Sequence, residues 1–404
     1  VTKGKKLAVV LGIRPDVIRA SLMLRSLKQE LGDDLAFIWS GQHYSDNMKD
    51  IFFRQLGVPS PDITLELDTS SDHAMIGSLI HKLGAVLEGL MPEAVVFLGD
   101  TNTVTGSIAA ASLDIPIVHI EGCMRSYDWR MPEEKYRTSI DQLSDLIYAY
   151  LPEYKEQGIL EGLDPERIVV TGNPIVDVLE QYFLSGQVRL DETTRESLFT
   201  SLKVSPGSFW LMTCHRRENI DSENSLRNIF SLAEAVAEPV IFAAGYRTQT
   251  RIKEFGISLP GNVRMIDPIG YIELMELAVD SIAILTDSGT LVEEAAVLQV
   301  PSIQMRTSTE RPQVYDTGGS VKFDPLKAYT SDELGKIFSS ARARKASMDR
   351  HSLGDGKASE IIVRDLIHRL RTGDFRGHKP DEARRPLGRN YGYGIDDRGT
   401  SSGR

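Results

Sequence analysis

The chain has 404 residues, enough for two to three domains at about 150 residues each. Hydrophobic residues make up 41% and charged residues 25%, which sets aside a disordered chain and allows a sizeable core. Lys plus Arg is 46 against 57 Asp plus Glu, a formal net charge of −11. That balance argues against nucleic acid as a partner, and any anionic ligand must be held by a local basic pocket. Two cysteines, Cys123 and Cys214, supply neither a disulfide framework nor a four-ligand zinc pattern, so no metal site is expected. The apolar run from Leu7 to Leu11 is too short for a signal-peptide core or a membrane span, and a cytoplasmic protein with no membrane contact is expected.

In chain order, short runs rich in Val and Ile predict strands at 7–11, 35–39, 94–98, 116–120 and 168–171, alternating with helix-period segments. This is the rhythm of βαβ units, whose buried parallel strands read as continuous apolar runs. After a helix-like stretch and Ser205-Pro206-Gly207, a second series predicts strands at 209–213, 239–244, 263–266, 282–286 and 302–305. The expectation is an α/β protein of two Rossmann-like domains. Residues 1–173 form the first, 174–206 connect, and 207–372 form the second, with the ligand in the cleft outside the carboxyl ends of the strands. Residues 373–404 hold seven glycines, many charges and few large aliphatics, and are expected to be a low-complexity tail or a strap laid down through Tyr391 and Tyr393.

Candidate functional residues gather at predicted strand ends. Arg14, in Gly12-Ile13-Arg14-Pro15-Asp16, stands beside a helix N-terminus, where an anion is favoured, although a strand-end Arg also serves as a plain surface residue. Asp100 follows the third run and Glu121 the fourth, while Glu133 opens a helix behind Pro132. These three carboxylates come from successive units at one sheet edge, where clustering would raise their pKa values and favour proton exchange. Helix capping is the plainer role for Asp100, and dipole pairing for Glu133 and Glu134. In the second half His215 ends the first strand, and Asp287-Ser288-Gly289-Thr290 opens a helix carrying Glu293 and Glu294. Small residues there leave N–H groups open to a diphosphate, and a Glu can accept from ribose hydroxyls, although Ser-Gly is also a common N-cap.

Taken together, Gly12-Ile13-Arg14-Pro15, Gly99-Asp100-Thr101, His119-Ile120-Glu121, Pro132-Glu133-Glu134 with Arg137, His215-Arg216-Arg217-Glu218-Asn219 and Thr286-Asp287-Ser288-Gly289 with Glu293-Glu294-Ala295 resemble the non-hydrolysing UDP-N-acetylglucosamine 2-epimerases. Gly354-Asp355-Gly356-Lys357-Ala358-Ser359 is similar to that family's closing motif. The resemblance implies a glycosyltransferase-B-like fold with a UDP-sugar between its domains, acting as a homodimer without a bound cofactor. It places Asp100, Glu121, Glu133 and His215 at catalytic positions, with Arg137 as their partner arginine. By the same matching, Arg14 and Arg19 lie near the diphosphate and catalytic centre, Ser288, Gly289 and Thr290 bind the diphosphate, Glu294 binds the ribose, Arg311 supports the site and Leu274 packs on uracil.

The chain departs from the family where a second-domain His segment is replaced by Ala243-Ala244-Gly245-Tyr246-Arg247-Thr248-Gln249-Thr250-Arg251. Ser288-Gly289-Thr290 with Arg130-Met131-Pro132-Glu133-Glu134 resembles the branch acting on modified UDP-HexNAc sugars. Members that bind a second UDP-GlcNAc carry a Gln-His-Arg-Gln or similar segment and another Gln in the next loop, where this chain has Gln42-His43-Tyr44-Ser45 and a loop from Thr69 to His73 without Gln, so simple hyperbolic kinetics are expected. Without a Gly-x-Gly-x-x-Gly fingerprint for a nicotinamide, elimination of UDP to a 2-acetamidoglucal and readdition is the expected route. The alternatives are a hydrolysing epimerase, a glycosyltransferase of the same fold, and a non-catalytic UDP-sugar-binding protein.

Overall fold

The computed structural model describes residues 6–41, 56–316, 318–344 and 348–375. Gln42–Ser45, Tyr391 and Tyr393 therefore lie outside the described residues. Strands β1 (Leu7–Leu11), β2 (Leu35–Trp39), β3 (Ile63–Thr64), β4 (Ala94–Leu98), β5 (Ile117–Ile120), β6 (Leu146–Ala149) and β7 (Ile168–Val170) form one parallel sheet in the order β3-β2-β1-β4-β5-β6-β7. Leu7 is aligned with Leu35 on one side and with Ala94 on the other. Strands β8 (Trp210–Thr213), β9 (Val240–Ala243), β10 (Val263–Ile266), β11 (Ile284–Thr286), β12 (Ser302–Met305) and β13 (Ser320–Phe323) form a second, in the order β10-β9-β8-β11-β12-β13.

Every residue of β1, β2 and β4 is buried, which is why their sequences are unbroken apolar runs rather than alternating ones. Strand order reverses between β1 and β4 in the first sheet and between β8 and β11 in the second. Chain segments leave such switch points in opposite directions and open a crevice between them. Arg14 and Asp100 follow β1 and β4, and His215 and Ser288 follow β8 and β11; both crevices belong to one cleft.

The helix Ala358–Thr372, expected with the second domain, packs instead on the helices Arg14–Leu31 and Pro174–Val178 of the first half. Tyr148 Oη donates to Asp365 Oδ2 at 2.8 Å, and Asp177 accepts the helix's opening N–H groups from Ala358 and Ser359 at 3.2 and 2.5 Å. The apolar stripe Ile362, Leu366, Ile367 needs cover, and the first sheet's outer helices supply it. One hydrophobic cluster consequently runs from Leu7 through Phe209, Met275 and Ala295 to Phe375, joining the two halves around the cleft. Phe375, the third residue of the expected tail, is buried in it.

Candidate active site

The cleft holds a cavity of about 780 Å³ lined from the first half by Arg19, Asp100, Glu121 and Glu133 and from the second by His215, Ser288, Gly289, Thr290 and Arg311. A narrower, more apolar extension of about 310 Å³ shares Pro15, His215, Ser288 and Thr290 with it and continues past Arg14, Tyr271, Leu274 and Glu294. Residues named from sequence for the sugar end and for the nucleotide end thus fall at opposite ends of one continuous space.

On the first-half side the carboxylates are held by guanidinium groups. Asp100 pairs with Arg137, which also pairs with Glu134. Burial raises the Asp100 carboxyl, but Arg137 together with Arg311 and Arg216 outweighs it and the group is held below the usual carboxylate range. Mutual elevation of clustered carboxylates, expected from sequence, therefore does not describe Asp100. Glu121 is buried with φ of +77°, a left-handed conformation that non-glycine residues rarely adopt. Its Oε1 accepts from Arg311 at 2.6 Å, and its Oε2 faces Arg19 and accepts from Tyr150 Oη at 3.0 Å. Glu133 lines the cavity and is partly exposed, in the first turn of the helix Pro132–Leu143. Its neighbour Glu134 plays the structural part. Buried, it accepts from Ser126 and Tyr127 backbone N–H at 3.0 and 2.8 Å and fastens the loop before the helix.

Arg19 sits on the carboxylate side, buried between Asp16 at 2.8 Å and Glu121. Arg14 opens the helix Arg14–Leu31 and lines the narrow end. Burial pushes the Asp16 carboxyl up to about 7, so its pairing with Arg19 does not fully offset the loss of water.

On the second-half side, buried Asp287 orients the β8 loop. It accepts from the backbone N–H of His215 at 3.1 Å and of Arg216 at 2.9 Å, and from Asn219 Nδ2 at 3.1 Å, while His215 Nδ1 lies 3.4 Å away. The His215 ring is half exposed, 54% by side chain, and reaches into both cavity ends. Ser288 caps the helix Gly289–Val297 by accepting from Leu291 N–H at 3.2 Å, so its capping role is real, and the cap places the helix N-terminus against the cleft. Two helix N-termini, this one and that of Arg14–Leu31, face the same space, a setting that favours a diphosphate. A Cβ on Gly289 would lie 2.7 Å from Arg311 Nη1 and 2.9 Å from Glu310 Oε1, so those side-chain ends would have to shift to admit one.

At the narrow end Glu294 accepts from Tyr271 Oη at 2.8 Å, and burial pushes its carboxyl up to about 7. Leu274, with Pro268 and Ile269, gives that end an apolar wall suited to a planar base. Glu293 turns the other way and pairs with Arg311 at 3.0 Å. The Tyr246 that replaces the family's His segment is 69% exposed, while the adjacent Arg247 lines the cavity and pairs with Asp221 at 2.6 Å.

Tyr150 and Tyr271 join the site without a mark of their own in the sequence, because each is polar only at its tip and reads as an apolar residue of its strand end or helix start. Arg216 also lines the cavity, 3.6 Å from Glu310. Among the described residues no group of three or more His, Cys, Asp or Glu could hold a metal ion, and no helix is long and apolar enough to cross a membrane.

Residues 25–367 match the family model described as UDP-N-acetylglucosamine 2-epimerase. Among curated relatives, the UDP-N-acetylglucosamine 2-epimerase of Methanocaldococcus jannaschii is 34% identical over 372 residues, covering 90% of this chain and 99% of its own. The UDP-2,3-diacetamido-2,3-dideoxy-D-glucuronate 2-epimerase of Pseudomonas aeruginosa is 30% identical, with 89% and 99% covered. The crystal structure of the M. jannaschii enzyme in complex with UDP-GlcNAc and UDP superimposes with a TM-score of 0.81 at 33% identity, over 90% of this chain and 99% of that one. The Neisseria meningitidis UDP-GlcNAc 2-epimerase bound to UDP-GlcNAc gives 0.77 at 26% identity, over 90% and 100%. With its two parallel sheets, interdomain cleft and matching motifs, the chain belongs to the UDP-N-acetylglucosamine 2-epimerase family.

Proposed function

We propose that this chain is an isomerase that inverts C2 of a UDP-N-acetylhexosamine, interconverting UDP-GlcNAc and UDP-ManNAc. The observation that carries this reading is the convergence of Asp100, Glu121 and Glu133 with His215 and the N-terminus of the helix Gly289–Val297 on one cavity. The C2–H of such a sugar is not adjacent to a carbonyl, so the route is elimination. One carboxylate takes the C2 proton, the C1–O bond to UDP breaks, and a 2-acetamidoglucal remains. A second carboxyl delivers a proton to the other face of C2, and the UDP oxygen returns to C1. Arg14, His215 and the Ser288 helix start stabilise the departing UDP in this scheme, and Leu274 and Glu294 hold the uridine.

Asp100, kept ionised by Arg137, is suited to accept a proton. Glu121 has both oxygens engaged by Arg19, Arg311 and Tyr150, so its part in proton transfer requires one guanidinium to release it. The family supports a homodimer in the cytoplasm, with a UDP-sugar as partner and no nucleic acid.

Incubation with UDP-GlcNAc in D₂O, followed by chromatography and NMR, tests the reading: UDP-ManNAc with deuterium at C2 supports it. Retention of the original hydrogen at C2 would remove the elimination route, and release of UDP plus ManNAc would make the enzyme hydrolysing. A second reading, a sugar modified at C3 and C6, is favoured by the similarity to the P. aeruginosa enzyme. Turnover of UDP-2,3-diacetamido-2,3-dideoxy-glucuronate in preference to UDP-GlcNAc would select it.

A further inference from the structure

His119 on β5 is fully buried and its ring lies between two acceptors: Nδ1 is 2.7 Å from Asp141 Oδ1, and Nε2 is 2.8 Å from the carbonyl oxygen of Gly99. A carbonyl can only accept, and so can an ionised carboxylate, so this geometry calls for a donor at each ring nitrogen. Burial raises the Asp141 carboxyl, yet the bond and charge of His119 together with Arg125 outweigh it and hold Asp141 below the usual range. Around the pair stand Arg125, 2.7 Å from Asp141, Glu161, 2.6 Å from Arg125, and the Cys123 thiol, which burial pushes up and keeps neutral. Arg167 adds a further guanidinium, which donates to the Asp141 carbonyl oxygen at 3.4 Å.

The pair ties together the backbone beneath two of the cleft's carboxylates. Gly99, the residue before Asp100, has φ of +85° and donates its N–H to Ile120 at 3.1 Å. Glu121 and Cys123 both have positive φ, +77° and +67°, and Asp141 Oδ2 holds that turn by accepting from Cys123 N–H at 2.9 Å. A Cβ on Gly122 would lie 2.8 Å from Asp141 Oδ1 and 2.3 Å from Ile147 Cγ2, so the turn closes tightly on the pair. Neither His119 nor Asp141 lines the cleft.

We propose that the His119–Asp141 ion pair is a positioning device that fixes Asp100 relative to Glu121 for the two proton transfers at C2, a role that rests on the epimerase reading above. Two measurements test it. In the ¹⁵N-histidine-labelled wild-type protein, NMR of the His119 ring, assigned by its loss in His119→Gln, should show protons on both nitrogens; a singly protonated ring overturns the ion pair. In turnover assays, His119→Gln and Asp141→Asn should each lower kcat by about 100-fold, with KM and the Kd for UDP within about two-fold of wild type. Wild-type kcat in folded variants, or a raised KM at unchanged kcat, overturns the positioning role. Should both variants fail to fold, the ring protonation of the wild type decides. A wild type that does not epimerise any UDP-HexNAc defeats the functional reading and leaves the NMR result standing, so the two failures are distinguishable.

Discussion

Arg311 Nη2 donates to Glu121 Oε1 at 2.6 Å although 190 residues separate them, so a side chain of the second half holds a carboxylate of the first. The same guanidinium pairs with Glu293 at 3.0 Å and with Glu310, and is buried throughout. Arg311→Gln would leave buried Glu293 without its ion-pair partner and take one guanidinium each from Glu121 and Glu310, a change that costs about 3–5 kcal/mol. Urea denaturation should show that loss together with a fall in turnover. Arg311→Lys should rescue neither, because an ammonium cannot fork to three carboxylates. A variant with the wild-type midpoint would contradict the bridge.

For the carboxylates themselves, Asp100→Asn, Glu121→Gln and Glu133→Gln are each expected to lower turnover by about 100-fold or more, the scale of losing a general acid or base. UDP binding, followed by calorimetry, should persist, since the groups assigned to the diphosphate and uridine, Arg14, His215, the Ser288 helix start, Leu274 and Glu294, are left unchanged. Full activity in all three would exclude proton transfer by these groups, and lost UDP binding would make them structural.

The strands that carry the site are legible in the sequence because β1, β4, β5, β8 and β11 are buried on both faces and so read as apolar runs. Three other strands are not. Ile63–Thr64 is a two-residue edge strand, Leu146–Ala149 follows the helix Pro132–Leu143 after a two-residue gap, and Ser320–Phe323 is half-polar at the sheet edge. Motif order locates Asp100, Glu121, Glu133, His215 and Ser288. It cannot show that Arg311 reaches Glu121, because that contact depends on how two domains dock, nor that Asp141 is buried, because a helix-face Asp reads like a solvated one.

Glycine positions offer a paired test of the phosphate end. Gly289→Ala would drive a Cβ into Arg311 and Glu310, displacing the guanidinium that supports Glu121, and is expected to cut turnover at least about ten-fold through misplacement of the site. Gly335, inside the helix Ser331–Arg344, has nothing within 4 Å of the point where a Cβ would stand. Gly335→Ala should stabilise by about 0.5–1 kcal/mol through helix propensity alone and leave turnover unchanged. Equal effects of the two substitutions on activity would show that the Gly289 contact is unimportant.

Stability should also depend on pH in a direction set by two buried carboxyls. Burial raises Asp16 from an ordinary 3.8, and Glu294 from an ordinary 4.5, each to about 7. Between roughly pH 4 and 7 the folded chain keeps protons at these sites that the unfolded chain has released. With more protons bound in the native state, stability falls as pH rises through that window and levels off above it. Asp100, Asp141 and Glu310 act oppositely: held below their ordinary range, they contribute stability above it that is lost on acidification. Urea denaturation from pH 5 to 8 should therefore show a decline, and Asp16→Asn combined with Glu294→Gln should make it shallower by removing two of the titrations, with Asp177, also raised by burial, still contributing. A wild-type profile already flat over that range, or an unchanged slope in the double variant, would mean that neither carboxyl is protonated in the folded protein.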